Sequence, residues 1–206
     1  MRWARLSPAA VLVALAVARV AVAEPPTGPA PDPPAPPVVA TRYLGVGGSR
    51  TTEVDGVPST VLDIPVGLTF GRTWQLGIDS VGSFRSEGQA YAIGACGGVR
   101  LGAPDAARLD LLAAAGVRWY VNHGSSYALE HVSGANAVLP YLGARVLAWA
   151  PGAVTAGLVA WGHVTLGSAH RHYTRTVCVL ECTVTEGEVT YSGAAFGLAL
   201  AVGQID

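Results

Sequence analysis

From about residue 39 to residue 202 the chain alternates large apolar side chains with Gly, Ala, Ser and Thr, in runs separated by turn residues. A two-residue period places successive side chains on opposite faces of a strand, whereas a helix would need apolar residues three and four apart. The clearest run sets Leu109, Leu111, Ala113, Ala115, Val117, Trp119 and Val121 against Asp110, Leu112, Ala114, Gly116, Arg118 and Tyr120. Three others follow the same rule: Leu62 to Phe70, Trp74 to Arg85 and Tyr91 to Leu101. A further clean run, Gly193 to Val202, lies near the end. Stretches near 39–49, 136–149 and 153–167 alternate less cleanly. Together they predict eight strands. Pro104 to Ala115 also fits an amphipathic helix capped by Asp105, but the alternation continues unbroken to Val121, and strand is the reading adopted. Pro65 and Pro140 fall inside runs, where bulges are expected.

The connections alternate in length. Moderate or long links at 50–57, 122–134 and 168–187 take turns with short ones at Gly71-Arg72, 102–105 and Pro151-Gly152, while the link at Glu87-Gly88, on the side of the longer ones, is itself short. With a periplasmic N-terminus, the longer links face outward, as in transmembrane barrels. The expected fold is all-β: a closed antiparallel up-and-down transmembrane barrel.

Composition decides between membrane and water. Half the residues are hydrophobic and 13% are charged, all 13 basic ones being Arg. A soluble domain carries about a quarter charged residues, and a soluble barrel turns a charged face outward. Here the second face is too bland to solvate a surface but suits the crowded inside of a narrow barrel, which eight strands just leave room to fill. Asp63, Asp79, Arg100, Arg118 and Arg145 all fall on that face. A lipid-facing Arg at mid-bilayer would cost about 2–4 kcal/mol, so these charges are expected inside. Phe70, Trp74, Phe84, Tyr91 and Trp119 lie near run ends on the apolar face, where interfacial girdles belong.

Residues 1–23 read as a Sec-type signal peptide, with Arg2 and Arg5, an apolar Ala9 to Val17, and Ala21-Val22-Ala23 before Glu24. Arg19 cuts the apolar stretch below the ~20 residues of a spanning helix. Residues 24–37 hold eight of 14 prolines and form a spacer that no sheet accepts; the barrel domain is 38–206. Without the signal, 10 Arg face 14 Asp and Glu, a net −4 that excludes nucleic acid as partner. In an exported chain Cys178 and Cys182 are read as a disulfide, with two free thiols as the alternative; CxxxC alone falls short of the four ligands of structural zinc.

The pattern over 38–206 resembles the small outer-membrane barrels of the OmpA/OmpX-like class, although such barrels commonly end on an aromatic residue and this chain ends Ala201-Val202-Gly203-Gln204-Ile205-Asp206. The resemblance implies an outer-membrane location, a lipid environment, and lipopolysaccharide or a surface partner at the external loops. A monomer without cofactor is expected, with a non-catalytic, structural or surface-binding role. The alternative is an enzyme: His123, Ser125 and Glu130 resemble the His-x-Ser and Glu of lipid A deacylases, also eight-stranded barrels, although a solvated loop accounts for the same residues. His170 and His172 flank Arg171 and are weak candidates for a metal or a lipopolysaccharide phosphate. His163 is expected as a packed or hydrogen-bonded barrel residue.

Overall fold

The structure is a computed structural model and describes residues 39–85, 88–102, 106–121 and 130–205. Eight strands form the barrel: β1 (Ala40–Thr51), β2 (Ser59–Phe70), β3 (Trp74–Phe84), β4 (Gln89–Leu101), β5 (Arg108–Val121), β7 (Ala137–Trp149), β8 (Val154–Thr165) and β11 (Ala194–Ile205). Consecutive barrel strands pair antiparallel, and β11 pairs with β1 to close the sheet. At 11–14 residues each, they meet or exceed the 9–11 that a tilted membrane strand needs. Pro104 lies outside the described residues, but Arg108 to Ala115 are strand, as the unbroken alternation required.

The outward face carries the apolar set. Trp74 is 76% exposed and Leu200 73%, and Leu44, Val46, Ile78, Ile93, Val138 and Leu198 share that face. Only a lipid environment accommodates such a belt at low cost, since apolar patches this extensive do not stand in water. Phe70 and Trp74 flank the tight turn at one end; Phe84, Tyr91, Trp119 and Phe196 lie toward the other, where the long connections are.

Two expectations about the barrel change. Pro65 and Pro140 create no bulge, because the register stays constant across both. The β1–β2 ladder instead opens at Gly45 and Val46, opposite the proline that has no N–H to give. The link at 168–187 is not a loop. It is a hairpin of β9 (Ala169–Cys178) and β10 (Cys182–Tyr191), and β6 (Glu130–Ser133), within the expected loop at 122–134, adds to β9. This second sheet, in the order β10-β9-β6, stands at the loop end.

The first long connection is locked by chemistry its sequence supplies. Asp55 and Gly56 take φ values of 52° and 66°, and Val57 N–H donates to the Val54 carbonyl at 3.0 Å. This is the Asp-Gly turn whose twist suits a hairpin. It points Glu53 back into the barrel.

Inside, small residues make room for large ones. Trp149 lies over Gly157 and Gly203; a Cβ on Gly203 would stand 2.8 Å from the indole ring. Gly67 gives Tyr43 its space, and Gly197 does so for Trp161. Gly157→Val is therefore expected to lower stability by about 1–3 kcal/mol through overpacking. Gly162→Val, at a strand position where an added Cβ meets nothing closer than 3.7 Å, serves as control for the cost of losing a strand glycine without the indole contact, and urea titration in lipid vesicles would compare the two. Equal losses would mean that the Trp149 contact is not limiting.

Candidate functional site

The lumen is filled by three charged clusters stacked along its axis. At the turn end Arg100 grips Asp110 with two parallel contacts, Nε to Oδ1 at 2.7 Å and Nη2 to Oδ2 at 2.9 Å. The same Nη2 donates to Thr41 Oγ1 at 2.6 Å, and Gln75 Nε2 donates to Asp110 Oδ1 at 3.2 Å. In the middle Arg145 pairs with Asp79 and donates to the Tyr43 hydroxyl at 2.6 Å, while Tyr141 donates to Asp79 at 3.4 Å. The remaining space among these groups is a void of about 10 Å³, enough for one water at most.

The cluster nearest the long loops converges on Glu53, whose side chain is wholly buried. Arg118 Nε lies 2.6 Å from Oε1, and its Nη2 donates to Oε2 at 2.7 Å. His163 Nε2 stands 2.8 Å from Oε1, Tyr120 donates to it at 2.9 Å, and Thr51 donates to Oε2 at 3.0 Å. Arg85 adds a longer contact at 3.6 Å. Burial by itself would raise the Glu53 carboxyl, but the field of Arg118 and the contacts from His163 outweigh it and hold the carboxyl well below the usual range. Asp63, also fully buried, sits opposite Ser83 in the β2–β3 ladder, and Ser83 in turn accepts from Arg118 at 3.1 Å.

Asp63, Asp79, Arg100, Arg118 and Arg145 are thus all buried on the inward face. Reading along the strands did not find Glu53. It lies in a connection, where alternation gives no phase, and the one signal that could have found it is the Asp-Gly pair at 55–56, which favours a tight chain reversal. His163 is buried in the barrel and hydrogen-bonded, with its place in the Glu53 cluster.

Above the barrel mouth the small sheet turns one face inward. Val132, Ala169, Tyr173, Val189 and Tyr191 pack over Tyr120, Ala90 and Leu139. The rings of Tyr120 and Tyr191 stack at 4.5 Å between centroids. The Tyr191 hydroxyl donates to the Ala135 carbonyl at 2.5 Å, and burial pushes it up to about 12. The other face bears His131, Ser133, His170, His172, Glu186 and Glu188, from the pairing register. His170 Nδ1 lies 2.9 Å from Thr190 Oγ1, and His172 Nδ1 lies 3.2 Å from Glu188 Oε1. Among the described residues no three His, Cys, Asp or Glu side chains gather into a metal-binding group.

At the hairpin tip Cys178 and Cys182 are joined by a disulfide with Cα atoms 4.0 Å apart. Protein isolated without reductant or thiol reagent and then denatured with a maleimide is expected to label once per chain, at Cys96, and three times when it is reduced first. Three labels before reduction would refute the bridge. His123 and Ser125 lie outside the described residues, and of Glu130 only the backbone is placed, at the start of β6 opposite Val177.

No protein-family model matches the sequence, and no curated protein does. The fold does have solved counterparts. Neisserial surface protein A (NspA) superposes over 81% of this chain and 95% of its own, with TM-score 0.53 and 8% identity. The N-terminal β-barrel domain of Pseudomonas aeruginosa OprF covers 81% and 97%, with TM-score 0.43 and 12% identity. At such identities the likeness speaks for the fold alone, that of the small eight-stranded outer-membrane barrels.

Proposed function

We propose that the chain is a non-catalytic protein of the bacterial outer membrane that acts through a rigid sheet held above a closed barrel. Residues 1–23 would direct its export and 24–37 would space the barrel from the cleavage site. The observation that carries this reading is the division of labour along the axis. Three buried ionic clusters occupy the lumen, which argues against a transport pore, while the longest connection is built as a paired hairpin with a disulfide at its tip. A chain that needed loops only to join strands would have no use for that hairpin. Ordered strands cost no further entropy when a partner docks, which favours binding.

The test has two arms. Cell fractionation is expected to place the protein with outer membranes, running heat-modifiably on gels. Replacing 170–190 by a short Gly-Ser link should leave the barrel folded and remove binding of intact cells to surfaces or host material. Recovery from the soluble periplasm would refute the location. Unchanged binding without the hairpin would refute its role. Hydrolysed lipid A in overexpressing cells, lost on His123→Ala, would instead support the enzymatic alternative with Ser125 and Glu130.

A further inference from the structure

In the small sheet β9 is central, and β10 has a paired side toward β9 and a free side. Which backbone groups face the free side follows from two contacts. Asp55 N–H donates to the Thr190 carbonyl at 2.8 Å, and Thr190 N–H donates to Asp55 Oδ1 at 2.7 Å. The N–H and C=O of Thr190 therefore point away from β9. Alternate residues of a strand share that direction, so Glu188, Glu186 and Val184 also point their N–H and C=O outward. The disulfide between the facing Cys178 and Cys182 agrees, since it joins a pair in which neither residue's backbone bonds the other. The Asp55 turn covers this edge only at its base, around Thr190 to Ser192. Among the described residues no strand pairs with it from Cys182 to Glu188, and Cys182 to Glu186 are exposed.

Natural sheets blunt such edges with Pro, Lys, bulges or very short strands. β10 has no Pro, Lys or bulge and is ten residues long and regular in register; its one guard is charge, Glu186 and Glu188, which repels an acidic strand and admits a basic one. Its free side instead has a chemical pattern, because the outward-bonding residues Val184, Glu186 and Glu188 also put their side chains on one face. A strand added here would set alternate residues directly opposite an aliphatic group and two carboxylates. Antiparallel self-pairing centred on Glu186 or Gly187 brings Glu against Glu, which is destabilising, and centring on Thr185 sets each Glu against Val184 or Cys182 with no counter-charge, whereas a basic strand supplies one.

We propose that the free edge of β10 takes up an extended basic segment of a partner protein as an added antiparallel strand, with the pattern basic-x-basic-x-apolar opposite Glu188, Glu186 and Val184. Main-chain bonds to three residues give the affinity and the alternate side chains give the choice of partner. The inference rests on the small sheet being the binding element.

The probe is a labelled peptide, Thr-Arg-Thr-Arg-Thr-Val-Thr, titrated by anisotropy into the full chain folded in detergent micelles. Saturable binding is expected, at least tenfold tighter than for the peptide with Glu in place of both Arg. Methylating the amide nitrogens of the two Arg should abolish binding, whereas methylating those of the intervening Thr should leave it within about twofold, because only the first set faces β10. The double variant Glu186→Lys/Glu188→Lys, checked for folding by heat-modifiability, should invert the preference toward the Glu peptide. Equal sensitivity to both methylation patterns, or to neither, would overturn the added strand in favour of simple charge attraction. Peptide-independent dimers would overturn it in favour of a second copy. Absence of peptide binding while hairpin removal still abolishes attachment of intact cells would sink the edge and leave the surface role standing.

Discussion

Arg118→Leu is expected to destabilise the folded barrel by about 3–5 kcal/mol, read as the shift in urea unfolding in lipid vesicles and as loss of the heat-modifiable band at lower temperature. The loss comes from what is left behind. Glu53 would keep His163, Tyr120 and Thr51 but lose its bidentate cation in a site without exposure to water. The loop that carries Glu53 would also lose its anchor in the lumen. Changing both partners, Arg118→Leu with Glu53→Leu, should recover much of the loss, since a buried ion pair is often no better than apolar residues of similar volume. Arg171→Leu is the contrast: that side chain is exposed and donates to the Asn136 carbonyl at 3.0 Å, and its removal should stay within about 0.5 kcal/mol. Small and equal effects at Arg118 and Arg171 would mean that the Arg118 guanidinium is hydrated and the ionic plug is not a dry one.

The second large effect is on acid stability. Because the folded protein holds the Glu53 carboxyl below its ordinary value of 4.5, the ion pair contributes fully above that value. Its contribution is lost as pH falls from there toward the lower folded value, since the unfolded chain then binds a proton that the folded one excludes. Unfolding midpoints measured between about pH 6 and pH 2 should fall steeply on the acid side. In Glu53→Gln the curve should start lower near neutrality and be flatter below pH 4.5. An acid limb of unchanged steepness in that variant would mean that Glu53 is not the group Arg118 holds.

How far the sequence reaches differs between wall and contents. A period of two with one apolar face dictates strands whatever their neighbours, so the runs around Leu109 to Val121 and Leu62 to Phe70 correspond to β5 and β2 within a few residues. The same phase places Asp63, Asp79, Arg100, Arg118 and Arg145 on the inward side, because lipid cannot solvate them. Local pattern also marks the link at 50–57 and the close cysteine pair.

The hairpin of β9 and β10 was not legible, for a definite reason. Its faces both mix Thr, Val and charged residues, so no hydrophobic contrast sets a phase, and its strands exist because they pair with each other and lean on Tyr120 and Leu139. Ion-pair partners are decided at the same level. Arg118 meets Glu53 across 65 residues, Arg145 meets Tyr43 across 102, and His163 meets Glu53 across 110. Such pairings depend on closure of β11 onto β1 and on the stagger between strands, which no single run encodes. The sequence by itself determined that this chain makes a wall with an apolar outside and charges within. The tertiary structure decided which charges neutralise one another and that a loop acid, Glu53, completes the set, because burying Arg118 required a carboxylate that none of its neighbours along the chain supplied.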